Sequence, residues 1–407
     1  MADRQLTSAV HPRLSAGSAA VRVGAIYLAA RVVTTAFLLL AAELSGFESR
    51  FGPDPTLADF VLGWDAQWYW LVAVGGYPTE LPLTDSGAVA ENAWAFMPIY
   101  PQLAKIVALP FGTFAAGAFV VSLLAGYAAS LVLFHLLRSR IDDTAALWAV
   151  TFFAAGPLAA LFQVGYAEAL YLLWLFLALW CVMRRRYVWL YGLIPVMGFT
   201  RPGVLAFALF LGLFGIWRWF RRRREPLPAR EIVHIVALGL LAAVVGFAWQ
   251  VIAGLLTGDS GAYLATELAW RRNWILGEAV FFPLEGFLTA TAFWFGTVWR
   301  LPIELGYVVV GAAVLAIGAV LLFVPQVKRL GVEVRLWSAS YVVYLLLVFF
   351  PQSSLFRLLV PLSPLWGAVA VPRSNVWRGS VLVACLIGQW WWIYNMYALG
   401  NVIWQVP

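Results

Sequence analysis

Gly63-Trp64-Asp65-Ala66-Gln67-Trp68-Tyr69-Trp70 has Gly75-Gly76-Tyr77-Pro78 just beyond it. One carboxylate stands here among three tryptophans and a tyrosine. Rings of this kind collect at the membrane–water interface. An acid held in such a half-dry setting is a candidate working group rather than a solubilising one. The stretch lies in a polar segment, residues 45–112, that follows the first long apolar run, Val23 to Leu44. It therefore reads as a membrane-surface loop, with the aromatics at helical spacing between Asp59 and Tyr77 predicting an interfacial helix.

Composition places the loop in a membrane frame. The chain has 407 residues, 63% hydrophobic and 12% charged, and its mean hydropathy is +0.84. Soluble domains run near half apolar and a quarter charged. The expected fold is an all-α polytopic membrane protein forming one integral-membrane domain over residues 1–407. About eleven spans (nine to twelve) of the ~20-residue type are expected. They fall near 23–44, 113–137, 145–163, 166–183, 187–200, 203–220, 232–256, 305–325, 336–351, 357–371 and 377–397. Residues 1–22 read as a cytoplasmic tail. The first apolar run is longer than the core of a signal peptide and reads as an uncleaved anchor, with Arg31 buried against other helices or snorkelling. Ala95 to Pro110, broken by three prolines, reads as a second surface helix.

The net charge of +7 does not point to nucleic acid. It comes from short clusters between apolar runs: Arg184–Arg186, Arg221–Arg224 and Lys328-Arg329. Such clusters mark cytoplasmic loops, which puts residues 45–112 and a second segment, 257–304, on the outer side. Most acidic residues then fall outside, Glu278 among them, although only the basic clusters set the orientation. The apolar part of the second segment, 281–299, is read as interfacial, because a span there would carry Lys328 and Arg329 outside. Cys181 and Cys385 sit in apolar runs as small buried residues. His11, His135 and His234 are scattered, so no metal site is expected. There is no Gly-rich phosphate loop and no paired-histidine zinc motif, which leaves no basis for cytoplasmic nucleotide chemistry and predicts no cofactor.

Several charged residues stand where charge is costly. Asp65 is a candidate general base for a hydroxyl nucleophile; the plainer alternative is a helix-surface acid or cap. Arg201 (Thr200-Arg201-Pro202-Gly203), Arg271-Arg272 and Arg357 (Ser353-Ser354-Leu355-Phe356-Arg357) each fall at the outer end of a span or in an outer loop. Guanidinium there suits a membrane-surface phosphate, or else a salt bridge to an outer acid. Glu168, at the outer start of a span, is placed to face a cavity and either orients a sugar hydroxyl or pairs with an arginine. Asp259, in Gly258-Asp259-Ser260-Gly261, is a turn residue by default and a substrate contact otherwise.

Taken in order, these motifs resemble the PIG-V-like mannosyltransferases, integral-membrane glycosyltransferases of the GT-C type. The run is Trp64-Asp65-Ala66-Gln67-Trp68-Tyr69 with Gly76-Tyr77, then Phe96-Met97-Pro98-Ile99-Tyr100-Pro101 and Gly165-Tyr166-Ala167-Glu168. Thr200-Arg201-Pro202-Gly203, Gly258-Asp259 with Trp270-Arg271-Arg272, and Phe356-Arg357-Leu358-Leu359 with Pro361 complete it. Each motif is weak alone; the order, over residues 60–370, carries the likeness. The resemblance implies a GT-C-like bundle and a polyprenyl-phosphate-linked sugar donor, most often mannose. It implies a glycolipid or glycan acceptor and an inverting transfer on the non-cytoplasmic face of the cell membrane. It makes Asp65 the catalytic acid of the first outer loop and Trp64, Gln67, Tyr69, Glu168, Arg201, Asp259, Arg271 and Arg357 substrate-binding candidates. The chain departs from the family in lacking an Asn before Gly203, in Met97 for the second Phe, and in Ala169 for Ser. A lipid-linked-sugar transporter or flippase, and a non-catalytic subunit, remain as alternatives. The first would favour inverted repeats and midplane charge; no repeat is evident, and apart from Arg31 the charges cluster at span ends.

Overall fold

The computed structural model describes residues 14–275, 280–402 and 405–407. Most of the expected N-terminal tail, with His11, and Glu278 lie outside the described residues. Helices α1 (Ala16–Leu44), α2 (Leu57–Val61), α3 (Asp65–Gly75), α4 (Ile99–Ala108), α5 (Phe114–Leu137) and α6 (Asp143–Ala154) come first. Then follow α7 (Glu168–Met183), α8 (Leu190–Gly198), α9 (Val204–Arg221), α10 (Ala229–Thr257), α11 (Ala262–Arg272) and α12 (Glu285–Thr291). The last six are α13 (Ile303–Phe323), α14 (Pro325–Arg329), α15 (Val332–Val348), α16 (Leu355–Leu358), α17 (Trp366–Ala370) and α18 (Asn375–Ile393). No strand occurs among the described residues, only an isolated bridge between Leu83 and Val89.

Helical structure covers every apolar run, as expected for a polytopic helical membrane protein. Among the described residues, five helices, α1, α5, α9, α10 and α13, are long and apolar enough alone to cross a membrane. The other runs form shorter pieces, for identifiable reasons. The 145–163 run stops at Ala154, before Gly156-Pro157, and resumes only as a 3₁₀ turn, Ala159–Phe162. Proline supplies no backbone donor and clashes with the preceding turn. The 357–371 run is divided by Pro361 and Pro364 into α16, a 3₁₀ turn and α17. Residues 285–298 form α12 plus a π-helical turn, about 21 Å of helix, short of the ~30 Å hydrocarbon core. The single interfacial helix expected from Asp59 to Tyr77 is instead two helices, α2 and α3, divided at Gly63-Trp64.

Helix α7 is the hub. Eleven of its sixteen residues are buried, and it packs on α5, α8 and α15. At the opposite extreme, α13 buries only Gly306 and Leu321 among its 21 residues; a helix apolar all round and uncovered by protein belongs in lipid. Arg31 is buried rather than snorkelling. It donates to Ala154 O (2.5 Å) and Ala159 O (2.6 Å), carbonyls on either side of the break that ends α6.

The two ends of α7 differ chemically. At its C-terminal end the basic clusters tie the bundle together. Arg218 pairs with Glu225 and Glu231, Arg185 with Glu225, and Arg140 with both oxygens of Glu333. Arg138 bridges Asp143 and Leu14 O, so the start of α1 lies at the end of α5. The N-terminal end, about 24 Å away by helix rise, carries Glu168.

Helix α4 packs tightly on α5. A Cβ on Gly117 would stand 2.2 Å from Ala104 O and 2.7 Å from Ala108 N, backbone that cannot yield by a rotamer change. Gly117→Val is expected to cost about 1–3 kcal/mol by overpacking. A lowered melting temperature of the purified protein in detergent is the check; an unchanged value would contradict this packing.

Candidate functional site

The site is built by a strained turn and a close helix approach. Thr56 and Asp59 form a reciprocal capping box that starts α2. The chain then turns at Trp64, which has φ +57°, a conformation that costs a non-glycine residue about 1–3 kcal/mol and concentrates at functional sites. The indole is fixed by Nε1–H donating to Met396 O at 2.9 Å and by the Arg50 guanidinium 4.0 Å over its ring. Asp65 is thereby the first residue of α3. The buried face of α3, Ala66, Tyr69, Val72 and Ala73, sets Tyr69 edge-on to Phe96 and Tyr100.

Gly165 brings α7 to this turn. Its N–H donates to Val61 O at 2.9 Å, and a Cβ there would lie 2.7 Å from that oxygen and 2.9 Å from Ala66 Cβ. Glu168 follows three residues later, at the start of α7 and only 2% exposed. Arg201 reaches it from the α8–α9 connection, with Nη2 3.3 Å from Oε1. Arg357, on α16, stands 3.3 Å from the same oxygen and is ion-paired with Asp65. Tyr166 lies under the Arg357 guanidinium at 5.1 Å. Two cations and two anions from four distant stretches thus close into one neutral cluster.

Burial opposes the charges on Arg357 and Arg201, but neighbouring carboxylates outweigh it. Asp65 and Glu168 hold Arg357 above the ordinary arginine range, and Glu168 does so for Arg201. Both guanidiniums are therefore firmly cationic. Burial, then Glu168 and Asp65, push the Tyr69 hydroxyl well up, so it stays a neutral phenol. The cluster is not fully satisfied. Among the described residues, neither Glu168 oxygen and not the Arg357 Nε has a hydrogen-bond partner, although the charges face one another. Buried polar groups left so are rare and call for an explanation such as a ligand.

The remaining candidates are placed as follows. Gln67 is exposed on α3. Asp259 is exposed and accepts from Gly261 N–H at 2.8 Å, a turn contact. Arg271 is committed elsewhere, to the Glu285 carboxylate and to Val348 O at 2.9 Å. Two tyrosines not singled out from sequence join the cluster, Tyr166 beneath Arg357 and Tyr341, whose hydroxyl donates to Leu358 O next to Arg357 at 2.8 Å. The available signal for Tyr341 was its spacing from Tyr344, three residues on and so on the same helix face.

No protein-family model matches the chain, and no curated protein sequence matches it. Among solved structures, it is similar to an oligosaccharyltransferase of Archaeoglobus fulgidus. The form in complex with Zn and sulfate is 13% identical with a TM-score of 0.43, covering 90% of this chain and 53% of that one. The apo form is 14% identical with a TM-score of 0.43, covering 93% and 56%. This chain spans about half the length of those proteins.

Glu168 is the shared counter-ion of two buried cations. Removing one member of a buried ion pair typically costs about 3–5 kcal/mol. Glu168→Gln is expected to destabilise the protein by that order, read as a lowered melting temperature. Adding Arg201→Gln to that variant should recover part of the loss; no loss in the single variant would contradict the arrangement.

Proposed function

We propose that this protein is a membrane glycosyltransferase of the GT-C type. It moves a sugar, mannose on the reading from its motifs, from a polyprenyl-phosphate donor to an envelope glycolipid or glycan acceptor on the extracytoplasmic face. The observation that carries this reading is the closure of Asp65, Glu168, Arg201 and Arg357 at one end of the bundle. The basic clusters gather at the other end of α7, and the positive-inside rule makes that end cytoplasmic.

The chemistry such a transfer needs is a base near the interface, cations for a phosphate, and an apolar path for a lipid chain. A cavity of about 400 Å³ is lined by Phe356, the residue before Arg357, and by Phe153, Pro157, Phe162, Leu359 and Val360 among others. It offers such a path from the same helix that carries the cation. In the reaction proposed, an acceptor hydroxyl attacks the anomeric carbon from the face opposite the phosphate, giving inversion. Its proton passes to Asp65. The bond between the anomeric carbon and the phosphate oxygen breaks, and the electron pair leaves with the polyprenyl phosphate. Arg201 and Arg357 offset the charge that grows on that leaving group.

The ion pair between Asp65 and Arg357 adds an ordering of events. A carboxylate engaged by guanidinium is a poor base. A phosphate on Arg357 competes with Asp65 and releases it, so the base is freed only when a donor is bound. Glu168, far more deeply buried than Asp65 (2% against 25% exposed), stays as the fixed counter-ion.

The test is sugar transfer by the purified protein from radiolabelled polyprenyl-phosphate-mannose to a panel of membrane acceptors. General-base catalysis contributes roughly 10²–10⁴-fold. Asp65→Asn is expected to lose transfer by about that factor while still binding the donor, and Arg357→Gln to raise the donor KM. Full transfer by Asp65→Asn would overturn the assignment.

A further inference from the structure

A second carboxyl group stands one aromatic step from the cluster. Helix α11 presents Tyr263, Glu267 and Trp270 at positions i, i+4 and i+7, on one face. Trp270 reaches back to the turn helix, edge-on to Trp68 of α3 at 5.5 Å and to Phe96 at 6.0 Å. On the other side Glu267 is close enough to act electrostatically on Tyr344 of α15. Tyr344 lies 6.2 Å from Tyr341, whose hydroxyl donates to Leu358 O at 2.8 Å and which acts electrostatically on Arg201. Trp68, Trp270, Glu267, Tyr344 and Tyr341 therefore form a belt running from the Asp65 helix round to Arg201.

Glu267 is half-buried in this belt. Among the described residues, no cation lies within ion-pair distance of it. Arg271, one turn on, is taken by Glu285. Tyr263 stands one turn earlier on the same face, and its hydroxyl acts on the Glu267 carboxyl. Burial raises its pKa, with Tyr263 and Arg271 pulling the other way. Trp270 supplies a further free group: its Nε1–H is buried without a hydrogen-bond partner among the described residues. An acid kept from its neighbouring cation would be an expensive structural choice. Its surroundings suit a saccharide. Carboxyl oxygens accept hydrogen bonds from ring hydroxyls, an indole N–H donates one, and aromatic faces take the C–H face of a pyranose.

We infer that Glu267, beside Tyr263 and flanked by Trp68 and Trp270, binds the hydroxyls of a sugar ring and so sets which sugar the protein accepts. This rests on the glycosyltransfer reading above. The ring recognised belongs to the donor or to the acceptor, and the two are separated by the test.

Three lipids are titrated onto the detergent-purified protein: polyprenyl phosphate, polyprenyl-phosphate-mannose and polyprenyl-phosphate-glucose. A second arm titrates methyl α-mannoside and methyl α-glucoside in the presence of bare polyprenyl phosphate. The expected result is a loss of about tenfold in affinity for sugar-bearing ligand in Glu267→Gln, the scale of one charged hydrogen bond. Bare polyprenyl phosphate should bind as in the wild type. Tyr263→Phe, which removes only the neighbouring hydroxyl, should show a smaller loss of the same kind. A loss confined to the lipid arm assigns the ring to the donor; one confined to the glycoside arm assigns it to the acceptor. Wild-type affinity and unchanged mannose-to-glucose preference in both variants would overturn the inference. Failure of the wild-type protein to bind any of the three lipids would instead overturn the glycosyltransfer reading, and this inference with it.

Discussion

One buried carboxylate organises the site. Glu168 is almost wholly enclosed and has two guanidiniums 3.3 Å from the same oxygen. A buried charge without partners is costly enough to prevent its ionisation or its burial. Folding therefore requires the α8–α9 connection and α16 to arrive at the start of α7. Arg357 then carries Asp65 into the same cluster, across 292 residues of sequence. Gly165 makes the approach possible sterically, and the strained Trp64 turn aims the acid. The position of Asp65 thus follows from the needs of Glu168 together with the turn at Trp64.

The same cluster divides its members by depth. Glu168 and Arg201 are deep, at 2% and 9% side-chain exposure, whereas Asp65 reaches 25%. The shallow member is the one that must exchange partners if a phosphate enters. A neutral arrangement of two cations and two anions accepts a further anion only by freeing one of its own. Asp65 is the carboxylate with access to solvent, and it carries a proton-accepting role in the mechanism proposed. Binding and activation of the base are then one event.

Much of this was legible in the sequence, for physical reasons. Apolar runs between arginine clusters gave the helices, because lipid demands them. The four cluster residues each stood out as a charge at a costly position. What periodicity could not supply was where apolar runs break. Gly156-Pro157 ends α6 early, and Arg31, an oddity within the first apolar run, turns out to bind carbonyls on either side of that break. Nor could it reveal partner choice. Arg271 and Arg357 look alike in sequence, yet one faces Glu285 and the other Asp65 and Glu168, a difference decided by tertiary packing alone. Glu267 was simply one acid among several in the second polar segment until the helix face it shares with Tyr263 and Trp270 was seen.

The account is tested most directly by a density map of the protein bound to a polyprenyl-phosphate sugar. The expected map places the phosphate against Arg201 and Arg357, with the Asp65 carboxylate released from Arg357 and turned toward the anomeric carbon, and the prenyl chain along the groove beside Phe356. A phosphate bound elsewhere, with the pair between Asp65 and Arg357 intact, would contradict it.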